Sequence, residues 1–374
     1  MADRPLLTPR DVLGVALLPP GSLSASVMKL RAHLRRWVDK LAPPPVRILE
    51  SLFGVLDHRG LVALCDLGVP DHLEQCLSID SLAKAVGADP VHLERLLRFA
   101  CARGWVRIDR RGRVRPTDVT RFLRTDHPGG WRAWVEFAGG AEIVVAVGAS
   151  SMSSDATDVF AQVNGRAFFE WMAIHPDRAA VFDRAMAAGA RMHALALAAA
   201  LDWSNTTTIC DVGGGTGDLL ATLLELLPNA TGTLVDLPAV IDRSCHHPRL
   251  HRVGGDAFRS VPADHDIYLL VNVLHDWSDT DAVRLLETVA GASGHARIVV
   301  VEADHPTVPY DRVATGADML MAALTDGGRE RNAAEFAALG SRAGVQLVAS
   351  TRLASGDWAH EFHHTEPNTA TTPG

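Results

Sequence analysis

A chain of 374 residues that is 47% apolar has room for two domains, or one large domain with an appendage, and for a sizeable buried core. Its net charge of −8 argues against wholesale nucleic-acid binding, and it holds no uninterrupted apolar run of about 18 residues for a membrane span. Cys65, Cys76, Cys101, Cys210 and Cys245 have neither metal-type spacing nor the even count of a disulfide framework, so they read as free thiols in a reducing cytoplasm.

In chain order, residues 1–45 form a weakly patterned arm. It has a Leu-Pro-Pro-Gly break at 18–21, a basic amphipathic stretch to Leu41 and prolines 43–45, and its Val12–Leu18 run is too short and too poorly flanked for a signal peptide. Residues 46–70 read as a helix pair around Gly60. Ser78 or Asp80 then caps a short helix that runs through Val86 and stops at Gly87. Asp89-Pro90 supplies an N-cap and a first-turn proline for a second helix, whose Leu93, Leu96, Leu97 and Ala100 make one apolar face. Gly104 ends it, and Trp105–Asp109 with Arg113–Arg115 flank Gly112 as a hairpin. Two helices and a hairpin make a winged-helix module within 46–130.

Residues 131–200 are helix-rich and alanine-rich, with Pro176 opening a segment. From 206 the pattern alternates: strands at 208–212, 231–235, 266–273 and 297–301, helices at 217–227, 279–291 and 332–343. That alternation predicts an α/β doubly wound parallel sheet, a Rossmann-like domain over 201–365. A last edge strand follows Gly356, and 366–374 is expected to be a disordered tail.

The stretch Asp211-Val-Gly-Gly-Gly-Thr-Gly-Asp218 is a strand–turn–helix junction whose glycines admit a nucleotide-like ligand close to the backbone. Asp236 follows a second apolar segment about twenty residues on, where a carboxylate meets a ribose diol. Asp218 at the helix start suits a cationic or zwitterionic ligand better than a pyrophosphate, which favours S-adenosylmethionine over a dinucleotide. Asp256, after a third apolar segment and beside Phe258, offers a carboxylate and an aromatic ring for an adenine. His275 ends the apolar run Tyr268–Leu274, at the strand end where ligands collect in such sheets, and imidazole suits removal of a phenolic proton. Glu302 ends the next strand, and Glu330 lies in Gly-Gly-Arg-Glu-Arg-Asn. Two carboxylates beside an imidazole fix its tautomer and stabilise the imidazolium. The blander readings are a cap or salt bridge for Glu330 and a surface strand end for Glu302. A rival class, a cofactor-sensing DNA-binding protein, rests on nine arginines against two acids between 98 and 124.

These pieces in this order resemble the plant-type, acetylserotonin-like O-methyltransferase family, including its actinobacterial natural-product branch. The likeness spans roughly 46–360 and rests on Asp211–Gly217, Asp236-Leu-Pro238, Gly255-Asp-Ala-Phe258, Val273-Leu-His-Asp-Trp277, Val301-Glu302 and Gly328-Arg-Glu-Arg331. It implies a helical winged-helix dimerisation domain, and hence a homodimer, ahead of the S-adenosylmethionine domain. It implies cofactor contacts from Asp211, Gly213, Gly215, Asp236, Leu237, Asp256, Ala257, Phe258 and Asp276. His275 would be the general base, flanked by Glu302 and Glu330. Phe168, Met172, Phe182, Met186, Met321 and Thr325 would line the pocket of a small aromatic metabolite, although ordinary helix packing competes at each. No metal, nucleic-acid or membrane partner is implied. Three departures stand out. Val271 takes the place of a lysine that many relatives carry, Ala257 is smaller than usual, and Ala292–Ala296 replaces a Pro-Gly-Gly turn. C- or N-methyl transfer on the same scaffold is the alternative reaction.

Overall fold

The structure is a computed structural model that describes residue 9 and residues 17–150, 158–303 and 312–364. The expected tail at 366–374 and most of the first sixteen residues lie outside that set. The chain divides into two compact units. One contains His33–Val144 and Pro176–Ala188; the other contains Leu17–Ala32, Val145–His175 and the chain from Gly189 onward.

The first unit builds the winged-helix module as its caps dictate. Ser78 accepts the Ser81 N–H to open the helix Ile79–Val86, and Asp89 accepts the His92 N–H to open Pro90–Ala102. Leu93, Leu97 and Ala100 of the second helix bury against Leu64, Leu82, Val106 and Val114. The hairpin of β2 (Val106–Ile108) and β3 (Arg113–Pro116) is joined by β1 (Leu77–Ser78), in the order β1-β3-β2. Gly60 is not a break. It lies inside the continuous helix Gly54–Asp66, and the chain bends at Phe53 instead. A Cβ on Gly60 would lie 3.0 Å from the Phe99 ring, so this glycine serves a close helix–helix approach. Six of the nine arginines at 98–124 face carboxylates, among them Arg103 on Asp57, Arg113 and Arg115 on Asp109, and Arg124 on Glu74 and Asp126. That pairing weakens the basic wing as a phosphate footprint. The helix Pro44–Leu52 buries no side chain, and Leu34, Trp37, Ile48, Leu49 and Leu52 stand exposed. Among the described residues no single helix is long and apolar enough to cross a membrane, although the bent pair Arg132–Ala138 and Ala141–Ser150 together have that composition.

The second unit holds a seven-stranded sheet ordered β6-β5-β4-β7-β8-β10-β9. Its strands are β4 (Thr208–Val212), β5 (Thr231–Asp236), β6 (Leu250–Gly254), β7 (Ile267–Val271), β8 (Arg297–Glu302), β9 (Val345–Arg352) and β10 (Trp358–His364). β4 to β8 run parallel, as the helix–strand alternation requires, and the order reverses between β4 and β7, the switch point at which such sheets bind ligands. One apolar layer packs Leu285, Leu286, Val289, Phe336 and Leu339 on one face, and Ala194, Leu197, Leu220 and Leu223 cover the other.

Three strand expectations need correction. β7 stops at Val271, two residues before the expected end, because Asn272 adopts a left-handed φ of 54° and turns the chain. β9 is not anticipated by the pattern, since its Gln346, Ala349, Ser350 and Thr351 break the apolar alternation. β10 is not an edge strand: it lies antiparallel between β8 and β9, with Trp358 opposite Glu302, and Ala359 and Phe362 fully buried.

Candidate active site

The glycine turn after β4 is held by backbone geometry and by a carboxylate from the neighbouring strand. Gly213, Gly215 and Gly217 have φ of 70°, 59° and 82°, which a side chain resists. Gly213 donates to the Val235 carbonyl at 2.8 Å. Asp236 at the end of β5 accepts the Gly215 N–H at 2.8 Å on one oxygen and the Leu237 N–H at 2.7 Å on the other. The Leu237 side chain stands exposed. Asp211 is buried beneath the turn, where burial, and then the charge of Asp236, push its carboxyl up to about 7. Its Oδ2 has no hydrogen-bond partner. Gly214 sits directly on that carboxyl: a Cβ would collide with Asp211 Oδ2 and lie 2.6 Å from Leu234 Cδ1. Gly214→Ala is therefore expected to lower the melting temperature by several degrees in calorimetry, and an unchanged transition would contradict the tight seat.

Asp218 plays a different part from the one its position suggests. Arg191 donates to its Oδ1 at 2.6 Å and Thr216 to its Oδ2 at 2.8 Å. The carboxylate is thus engaged in bracing the turn, and Asp211 and Asp236 supply the other carboxylates beside the glycines.

Beyond β6, Asp256 accepts the Phe258 N–H at 3.0 Å and its second oxygen faces Arg259 at 3.4 Å. Ala257 and Phe258 pack on the core layer. Phe258 meets Trp277 edge-on at 4.7 Å, and Phe169 stacks on Trp277 at 6.3 Å with an interplanar angle of 23°. Phe169 was missed by sequence reasoning. The signal for it in the sequence is that adjacent aromatics on a helix face different ways, so Phe168 and Phe169 cannot share one face.

His275 lies in the 3-10 turn Leu274–Asp276 that follows the Asn272 bend. A Cβ on Gly213 would lie 3.0 Å from Val273, so this segment passes directly beside the glycine turn. The His275 Nδ1 is 3.2 Å from Glu302 Oε2 and 3.3 Å from Glu330 Oε1, and its Nε2 is 3.7 Å from Asp276 Oδ1. Glu302, fully buried, uses its other oxygen to accept the Val273 and Leu274 N–H groups at 3.0 and 2.8 Å. One carboxylate therefore holds the backbone of the histidine segment with one oxygen and lies beside its ring with the other. Arg331 grips the same segment from the other side. Its buried guanidinium donates to the Leu274 and Trp277 carbonyls, each at 2.7 Å, and to Asp279. Asp318 accepts the Glu330 N–H at 3.0 Å. Gly328 lets the loop pass close, since a Cβ there would lie 2.5 Å from the His275 carbonyl.

Burial by itself would lower the His275 imidazole, but Glu302, Asp276 and Glu330 outweigh it and push the ring up to about 10. Burial raises Asp276 to about 6. It raises Glu302 as well, against the pull of the His275 charge. The side chain of His275 keeps 16% of its surface accessible.

The remaining residues fall on several elements. Phe168 and Met172 are buried on the helix Phe168–Ile174, Phe168 edge-on to Phe160 at 5.2 Å. Met321 is half-buried on the helix Arg312–Leu324, and its carbonyl accepts the Thr325 hydroxyl at 2.8 Å. Phe182 and Met186 belong to the first unit, where Phe182 packs on Phe137 at 5.4 Å. Val271, one of the three departures from the family pattern, packs against the apolar layer beside the sheet.

Family models place an O-methyltransferase domain on residues 148–346 and an O-methyltransferase dimerisation domain on residues 49–126. The chain belongs to the O-methyltransferase family. Among its relatives, the mitomycin biosynthesis 6-O-methyltransferase of Streptomyces lavendulae is 31% identical over 337 residues, covering 82% of this chain and 90% of that protein. An O-methyltransferase of neocarzinostatin biosynthesis, solved in complex with S-adenosylmethionine and 2-hydroxy-5-methyl naphthoic acid, matches with a TM-score of 0.67 at 28% identity, covering 83% of this methyltransferase and 96% of that chain. The N,N-8-amino-8-demethyl-D-riboflavin dimethyltransferase of Streptomyces davawensis matches with a TM-score of 0.70 at 27% identity, covering 87% and 100%.

Proposed function

We propose that this O-methyltransferase family member is a cytoplasmic, homodimeric enzyme that uses S-adenosylmethionine to methylate a hydroxyl of a small aromatic secondary metabolite, with His275 as general base. The observation that carries the reading is the histidine cluster: an imidazole whose Nδ1 lies 3.2 and 3.3 Å from two buried carboxylates, on a side chain that is not fully covered. Glu302 and Glu330 orient the ring and stabilise the imidazolium, while Nε2 takes the hydroxyl proton.

The residues around the glycine turn fit the cofactor. Asp236 is positioned at a strand end by two backbone N–H groups, where a carboxylate can meet a diol. Gly215 leaves open space where a Cβ would be, and Asp211 has an unpartnered oxygen beneath the turn. Asp211, Gly213, Gly215, Asp236 and Leu237 would hold the amino-acid and ribose parts; Asp256, Ala257, Phe258 and Asp276 would hold the adenine side. The bound cofactor supplies an electrophilic methyl group on a sulfonium. Phe168, Met172, Met321 and Thr325 of the second unit are assigned to the acceptor, whose flat ring suits aromatic and methionine side chains. The dimerisation region and the uncovered apolar face of Trp37, Ile48 and Leu52 support pairing with a second copy.

The test is direct: S-adenosylmethionine is incubated with a panel of phenolic metabolites and each product is read by mass. Methylation of a phenolic oxygen is the expected result, and methylation of no acceptor oxygen would overturn the reading. The donor atoms of His275, Glu302 and Glu330 lie within 4.8 Å of one another, and the reading assigns them to a proton, so a chelator is expected to leave turnover unchanged. N-methyl transfer is the second reading, favoured by the likeness to the Streptomyces davawensis dimethyltransferase. Amine acceptors belong in the same panel.

A further inference from the structure

Three carboxylates converge on His275. Asp276 comes from its own turn, Glu302 from β8 and Glu330 from the loop after the helix Arg312–Leu324. Among the described residues the positive groups nearby are already committed. Arg331 is taken up by Asp279 and by two backbone carbonyls, and Arg329 by Glu335 and Asp279. The buried His193 is held at 2.8 Å by Asp357, although it too feels Glu302, and Asp318 is engaged by the Glu330 N–H. The His275 ring is therefore the cluster's own counter-charge. In the protein without ligands it keeps its proton at neutral pH, with the ring pushed up to about 10. A base in that state cannot accept a proton. In-line transfer to an oxygen within reach of Nε2 brings the sulfonium within roughly 7 Å of the ring, where it competes for the same carboxylates.

We propose that the cationic cofactor and the His275 proton compete for the same carboxylates: cofactor binding drives His275 toward its neutral base form, releasing its proton to solvent to the extent the pH allows, and the ring regains one from the acceptor during transfer. This rests on the reading of His275 as base. In the transfer step the acceptor O–H bond breaks and its proton goes to Nε2. The oxygen forms a bond to the methyl carbon, and the electrons of the carbon–sulphur bond return to sulphur as a neutral thioether. The charge lost at sulphur thus reappears on the imidazole, and the net charge of the buried site is unchanged across the barrier. The proton displaced in this way leaves at cofactor binding, before any acceptor is present.

The experiment is calorimetric titration of S-adenosylmethionine and of S-adenosylhomocysteine in buffers of different ionisation enthalpy, which counts protons without turnover. Wild type is compared with His275→Gln, so that titration of the ligand's own amino group cancels. The expected excess release by wild type with S-adenosylmethionine peaks near about pH 9 at about 0.7 proton per site, with no comparable excess for the neutral thioether. Glu302→Gln, which removes one of the carboxylates, is expected to move that peak to lower pH and serves if His275→Gln fails to fold. Equal proton counts in wild type and variant from about pH 7 to 10, or equal excess with both ligands, would overturn the proposal. The base assignment fails separately: if His275→Gln keeps full turnover while the proton excess is seen, the charge coupling stands and the base reading falls.

Discussion

Replacing His275 by alanine is expected to lower methyl transfer at least ~100-fold, the low end of what a positioned acid–base group contributes, while S-adenosylmethionine still binds. The two effects separate because the glycine turn and Asp236 are built on β4 and β5, whereas His275 rides on the turn after β7. Near wild-type turnover in the variant would leave proximity alone as the catalyst. Binding is measured by titration, since the substitution leaves Asp276, Glu302 and Glu330 without their counter-charge and so alters stability as well. The sign of the accompanying pH effect is fixed. The folded His275 holds its proton more tightly than an unfolded histidine at 6.5, so its contribution to stability is complete below about 6.5 and disappears as pH rises toward about 10. Asp211 and Asp276 act in the same direction, because burial raises them to about 7 and about 6, and their cost grows as pH climbs from the ordinary carboxylate range through those values. The wild-type melting temperature should therefore fall from mildly acidic to alkaline pH, and less steeply at the alkaline end in His275→Ala.

Arg331→Ala is expected to cost about 3–5 kcal/mol of stability, read as a shift in the urea midpoint, and to reduce turnover in whatever fraction remains folded. Its guanidinium is fully buried, and removing it strips donors from the Leu274 and Trp277 carbonyls, which flank His275 and Asp276. Asp279 is partly exposed and can turn to water, so the penalty comes chiefly from the two carbonyls and the cavity. Arg331→Lys retains charge but not the planar fork, and should fall between the two. An unchanged midpoint in the alanine variant would show that the segment is held elsewhere.

What the sequence reveals about this site depends on how local the chemistry is. The glycine turn is legible because left-handed backbone demands glycine within five consecutive residues. Glu302 and Glu330 were located by their strand ends and motif, yet the second task of Glu302, accepting two N–H groups 28 and 29 residues away, has no local trace. Arg331 reaches back 57 residues to a carbonyl, which no side-chain pattern marks. Asp218 shows the opposite error. A charge at a helix start looked like a ligand contact, and Arg191, 27 residues earlier, turns out to occupy it. β9 escaped notice because a polar edge strand has no apolar period to read, and β10 was misplaced because insertion between two earlier strands is a property of topology. The residues proposed for the acceptor are the least legible: Phe168 and Met172 are buried aromatic and thioether side chains, and helix packing alone would select the same types.

The position of β10 bears on how a nascent chain matures. β8, with Glu302 at its end, emerges from the ribosome more than fifty residues before the strand that pairs with its outer side, and β9 has no β8 partner of its own. Until Trp358–His364 arrives, the flank of β8 is an unpaired ribbon of Ile298, Val299, Val300 and Val301, a template for association with other chains. A premature stop just before residue 358 would therefore yield a product prone to aggregation, even though every residue assigned to methyl transfer had already been translated.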